Sequence, residues 1–222
     1  MFQGYTQETV DFMWGIRFNN ERGWFLEHKQ QYQTQLLEPT RALGEQVYEG
    51  VQAMLPREPL MLKTSRIYRD ARRLFGRGPY KDHLWFCVRT GDKDWTGRPT
   101  FYFEIAPEYY SYGMGFYWAK ANTMACFRRA IDADPLPLTA LAERLNAQDT
   151  FVLTGQDYAR AKGDPGALLR PWYNKRVLDL SCVREHDDLL FSPALTDALV
   201  RGFGFLLPYY DYLEAVTRRE DA

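Results

Sequence analysis

Cysteine and histidine are scarce in this chain, with three of each in 222 residues. Cys87, Cys126 and Cys182 stand far apart, form no CxxC and sit among apolar neighbours. That spacing excludes a disulfide framework and reads as buried thiols of a reducing compartment. His28, His83 and His186 form no HxH or HxxxH pair, so no metal site is expected. Long hydrophobic runs are missing too, and nothing approaches the roughly 20 apolar residues of a membrane span. The opening "MFQGYTQETVDFMWG" has no basic start followed by an apolar block, so no signal peptide is read. A cytoplasmic protein without a membrane partner is the expectation. Neither a Walker loop nor a GxGxxG after a strand occurs, and GxSxG is absent. The sequence therefore offers no nucleotide-loop or serine-hydrolase signature, and no cofactor is implied.

Charge of one sign is not in excess, since the formal net charge is −1. General attraction to nucleic acid or anionic membrane is not indicated. Aromatics are plentiful at 16 %, and they can fill a core or line a pocket, because Tyr and Trp carry one polar group on an apolar body.

The length favours one compact domain over residues 1–222. The N-terminal third reads as helical. Thr6 is an N-cap candidate, and Val10, Met13, Trp14 and Phe18 fall at helical spacing. Asn19 and Asn20 break that helix and are read as caps. A second helix carries Trp24, Phe25, His28, Tyr32 and Leu36, and Pro39 either kinks it or begins another. Leu43, Val47, Val51 and Met54 continue the apolar stripe. The middle third alternates in period two. "LWFCVRT", "TFYFEIA" and "YYSYGMGFY" read as strands, with the polar "GDKDWTGRP" as a hairpin loop. A further strand is expected to contain Lys63 to Arg69. "ANTMACFRRAIDAD" and "LTALAERLN" return to helical spacing, and "TFVLTG" and "KRVLDLSCV" read as short strands. Ser192 followed by Pro193 starts a last helix with Leu195, Leu199, Phe203, Leu206, Tyr210 and Leu213 in its stripe. The order predicts an α+β fold, an antiparallel sheet in the middle of the chain packed by N-terminal and C-terminal helices.

Several of these stretches resemble a known family. "NNERGWFLEHKQQY", "YRDARRLFGRGPYKDH", "FYFEIAPEYYSYGMGFYWA", "FRRAI" and "YNKRV" occur in the order of the domain-of-unknown-function family DUF2461, from about Glu8 to Tyr210. The Arg-Asp-x-Arg to Pro-Tyr-Lys spacing is the specific part. The family's Arg-Phe-Ser-Lys-Asp-Lys before Pro-Tyr-Lys is replaced here by Arg72 to Arg77; its acid becomes Gly76 and a lysine becomes Phe75. The resemblance implies a bacterial, cytoplasmic α+β protein and no activity.

The segment from Lys63 to Lys81 gathers seven cations (Lys63, Arg66, Arg69, Arg72, Arg73, Arg77 and Lys81) against one acid, Asp70. On a strand, Arg66, Tyr68, Asp70 and Arg72 share one face, with Ile67, Arg69, Ala71 and Arg73 on the other. Unpaired charge cannot lie against a dry core, so one face meets water, carboxylates or an anion. A guanidinium fork suits carboxylate or phosphate, and the Gly76–Pro79 turn exposes backbone N–H groups. The first reading is a pocket for a small anionic ligand built from Arg66, Arg69, Asp70, Arg72, Arg77, Tyr80, Lys81 and His83, with Lys175 adding charge. Tyr80, Lys81 and His83 are the candidates for any proton transfer. Two alternatives stay open: a single-stranded nucleic-acid-binding module, in which aromatics stack on bases between arginines, and a structural or interaction protein whose arginines pair internally. No oligomeric state is read from the sequence.

Overall fold

The computed structural model describes residues 1–74, 76–91 and 95–220. Phe75, residues 92–94 of the expected hairpin loop and the side chain of Arg73 lie outside the described residues. Helix α1 (Gln7–Phe18) starts at Thr6, where Thr6 and Thr9 form a capping box. It buries Val10, Phe12, Met13 and Ile16. Trp14 and Phe18 do not join that face; they stack on one another outside it, with ring centres 5.6 Å apart. Helices α2 (Arg22–Glu27) and α3 (Lys29–Gln31) lead through a π-helical turn, Tyr32–Leu37, into α4 (Glu38–Met54). The π turn sits just before Pro39. A proline donates no backbone hydrogen bond and its ring crowds the preceding turn, so the extra residue accommodates it without ending the helix. Leu43, Val47 and Val51 form the buried stripe of α4, and Met54 is partly buried.

The strands β1 (Leu60–Thr64), β2 (Leu84–Thr90), β3 (Pro99–Ile105), β4 (Tyr110–Phe116), β5 (Val152–Thr154) and β6 (Asp179–Arg184) make one sheet in the order β1-β2-β3-β4-β6-β5. Every pairing is antiparallel. Helices α5 (Ala121–Ala133) and α6 (Leu136–Asn146) and the short α7 (Arg170–Tyr173) precede the long α8 (Leu195–Glu220). Ser192 accepts a hydrogen bond from Ala194 N–H just ahead of α8, at 3.1 Å. The expected α+β arrangement is therefore the observed one.

One face of the sheet builds the core. Phe86, Phe101, Phe103, Tyr110, Tyr112 and Met114 alternate onto it and are buried. Helix α4 lies against β1 and β2, and α8 lies against β3 and β4. The α8 stripe foreseen from sequence, Leu195 to Leu213, is buried throughout. Aromatic contacts join the layers: Phe101 lies 5.1 Å from Phe203 and 5.2 Å from Tyr210, centre to centre.

The opposite face is different. Its residues on β4 are Ser111, Gly113 and Gly115, with almost no side chain. Its neighbours in register on β3 are the large Tyr102 and Glu104. A strand of small residues beside the large side chains of β3 leaves a trough.

The cationic stretch is not a strand. β1 ends at Thr64, and Ala71–Arg73 form a 3₁₀ turn capped by Asp70. Between them only Tyr68 and Tyr80 bridge, through Arg69 N–H to the Pro79 carbonyl and Lys81 N–H to the Ile67 carbonyl. The segment closes on itself as a loop, so the two-face alternation expected for Arg66 to Arg73 does not exist.

Candidate functional site

The Pro79–Tyr80 turn is fixed by packing and by one asparagine. Tyr80 is 4 % exposed and stacks on Phe25 at 4.2 Å between ring centres. Asn20 accepts from Tyr80 N–H and donates to the Tyr80 carbonyl, each at 2.9 Å. Asn20 thus ties two distant segments, whereas Asn19 alone caps α1 by donating to the Gly15 carbonyl. Gly78 is the reason Asn20 fits: a β-carbon there would stand 2.2 Å from Asn20 Oδ1. Gly76 takes φ of 78°, the left-handed region that favours glycine.

The cations of this loop do not converge on one recess. Arg72 is 87 % exposed in its side chain and forks onto Asp70, with Nε–Oδ1 of 3.0 Å and Nη2–Oδ2 of 2.8 Å. Arg66 and Arg77 are exposed. Arg69 points back and donates to the Tyr80 carbonyl at 2.8 Å, with Asp82 3.8 Å away. Burial holds its guanidinium below the ordinary arginine range. Lys175 is buried on another segment, with Nζ 3.0 Å from Asp157 Oδ1 and 3.5 Å from the Gly155 carbonyl.

Asp82, which the sequence reading passed over, is the hub at this end of the molecule. It accepts from Arg17 Nε at 2.6 Å and faces His83 Nδ1 at 3.0 Å. Arg17 also chelates Glu108. The hydrogen bond from His83, with Arg17 beside it, holds the Asp82 carboxyl far below the ordinary carboxylate range.

Lys81 is the exception among these cations. Its ammonium lies 5.6 Å from the centre of the Trp85 ring. No carboxylate or carbonyl among the described residues bonds it. Burial and the nearby Arg69 and Arg66 push its pKa down to about 8, against the pull of Glu104.

Trp85 and Glu104 face one another across β2 and β3, on the helix-free side of the sheet. They form one end of a cavity of 550 Å³ in the trough. Trp95, Tyr117 and Trp118 wall the opposite end, and Gly155, Gln156 and Val177 close the side near β5. Tyr117 and Trp118 are 62 % and 56 % exposed, so the cavity opens to solvent there. Tyr102 spans the glycine strand, which leaves its ring a clear path. Its hydroxyl donates to Asp179 Oδ2 at 2.9 Å. Thr154 Oγ1 donates to the same oxygen at 3.1 Å. Burial raises the Asp179 pKa, opposed by those hydrogen bonds. Glu104 accepts from the Tyr109 hydroxyl at 2.9 Å. Cys87 also lines the cavity, and burial pushes its thiol up to about 11, so it is not a thiolate near neutrality.

Two charged residues, Glu104 and Asp179, line the cavity, and both are acids. No Lys, Arg or His is among the described lining residues. Of the nine site residues expected from sequence, none lines this cavity; Lys81 reaches its wall through Trp85, and Lys175 through the Gly155 carbonyl. Tyr117 and Trp118 line the cavity, whereas Tyr110 and Tyr112 of the same tyrosine-rich stretch face the core. Asp179 had one signal, a carboxylate inside an apolar strand. No metal-binding group of His, Cys, Asp or Glu gathers among the described residues. No helix among the described residues is long and apolar enough to cross a membrane.

Residues 8–212 match the family described as "Conserved hypothetical protein (DUF2461)". The chain belongs to the DUF2461 family. A comparison with curated proteins finds no match. Membership in DUF2461 brings no activity with it, so function rests on the geometry above.

Proposed function

We propose that this DUF2461 protein binds a flat small molecule in the open-face cavity, one that presents hydrogen-bond donors or a positive charge. The observation that carries the reading is the composition of the wall. Trp85, Trp95, Tyr102 and Trp118 supply broad aromatic faces, and Glu104 and Asp179 supply acceptors. A ring laid between such faces gains from apolar burial and from offset stacking. A donor aimed at Asp179 adds to the hydrogen bonds from Tyr102, Thr154, Ser181 and the Leu180 backbone that oppose its desolvation. A cationic donor also favours its ionised form.

The reading replaces the arginine loop as the binding surface. Arg72 has its carboxylate partner in Asp70, and Arg69 has the Tyr80 carbonyl. Neither lines the cavity, and the cavity's own charges are negative. A thermal-shift series with tryptamine, indole and inorganic phosphate tests the choice. Tryptamine is expected to raise the melting midpoint of the wild type and to leave Trp118→Ala unmoved. A shift with phosphate that Arg72→Ala abolishes, together with none from tryptamine, would return the site to the arginine loop.

A further inference from the structure

We infer that the ligand of this cavity also carries an anionic group, a carboxylate or phosphate, which pairs with the Lys81 ammonium while the ring lies among the tryptophans and a donor meets Asp179. The inference rests on the proposed cavity and names the class of its occupant: a planar aromatic molecule bearing both signs of charge.

The cavity has a polarity along its length. Asp179 pairs in register with Gly115, toward the Trp95 and Trp118 end. Trp85 and Glu104 close the other end, and Lys81 stands against the Trp85 ring. Most polar pairs of the neighbourhood are already complete. Arg17 has Asp82 and Glu108, His83 has Asp82, and Arg72 has Asp70. Glu104 is held by Tyr109. Lys81 remains, half-buried, with Arg66 and Arg69 repelling it and no described side chain or carbonyl bonded to it. A half-removed ammonium without a hydrogen-bond acceptor is costly. An anion at the Trp85 rim relieves that cost and the repulsion from both arginines together. Contact with the ring alone recovers only part of it.

The test compares three probes that share one ring system: tryptamine, indole-3-acetate and tryptophan. Dissociation constants are measured by isothermal titration calorimetry on wild type and Lys81→Gln. Tryptophan is expected to bind wild type at least tenfold more tightly than tryptamine. Lys81→Gln should erase that advantage and leave tryptamine unchanged. The advantage should also fade as pH rises through about 8, where Lys81 loses its proton, because only the ammonium form pairs with the anion. If tryptamine binds and Lys81→Gln affects tryptophan no more than tryptamine, the inference is overturned and the cavity reading stands. If no probe binds wild type, both are overturned. A cooperative melt of the variant at or above the wild-type midpoint separates lost binding from lost folding.

Discussion

Asp82 and Lys81 are adjacent in sequence and opposite in electrostatic fate. Asp82 accepts hydrogen bonds from Arg17 and His83, so folding lowers its pKa. A carboxylate with a depressed native pKa contributes stability that is present above its unfolded value and lost as pH falls through the native one. Asp82→Asn should therefore destabilise the protein by about 2 kcal/mol at pH 7, with most of the difference gone by about pH 2; chemical denaturation across pH measures it. Lys81 runs the other way. Its native pKa of about 8 lies below its unfolded value. The ammonium therefore destabilises the fold at neutral pH, and stability rises as pH climbs from about 8 toward about 10.4. Lys81→Gln should raise the melting midpoint at pH 7 by roughly 2–6 °C, with the gain vanishing near pH 10. Asp179 has a raised native pKa, so its carboxylate lowers stability as pH rises above the unfolded value near 3.9. Asp179→Asn keeps an acceptor for Tyr102 and should melt higher at pH 7, while binding tryptamine at least tenfold more weakly.

At the scale of elements, two glycine-containing segments set the geometry. The Gly76–Tyr80 turn exists because Gly78 admits Asn20. Gly78→Ala should cost about 2–3 kcal/mol in urea unfolding, because the intruding carbon meets the asparagine that holds the turn. The other segment is β4, whose Ser-x-Gly-x-Gly side makes the trough. Its opposite register was readable at once: Tyr110, Tyr112 and Met114 alternate and are buried. Most helices and strands were equally legible, since their apolar spacing is long and regular. The cationic loop was not. Arg66 to Arg73 mimics a strand in period, but a strand needs a partner, and Ile67 to Arg69 pair only with their own loop at Pro79 to Lys81. The site was hidden for a related reason. Trp85, Tyr102, Glu104 and Asp179 sit on three different strands, and each looks ordinary in its own segment. Only the β2-β3-β4-β6 order makes them neighbours. A run of charge draws the eye along the chain, but carboxylates such as Asp82 can complete its pairs from positions that spacing does not reveal.

At the scale of the molecule, the helices cover one face of the sheet and leave a recess on the other, floored by β2, β3, β4 and β6. Such a division separates stability from recognition. The core of Phe86, Phe101, Phe103 and Phe203 is dry and aromatic, while the other side presents aromatic walls with acids between them. The six tryptophans divide in the same way: Trp85, Trp95 and Trp118 line the cavity, and Trp14, Trp24 and Trp172 lie elsewhere. Their indole N–H resonances therefore form a built-in control. The most direct measurement is a two-dimensional NMR titration of the wild-type protein with tryptamine and, separately, with inorganic phosphate. The account predicts that tryptamine moves the indole signals of Trp85, Trp95 and Trp118 and leaves the other three in place. It would be contradicted if those three signals stayed fixed while phosphate shifted the backbone amides of Gly76 to Lys81.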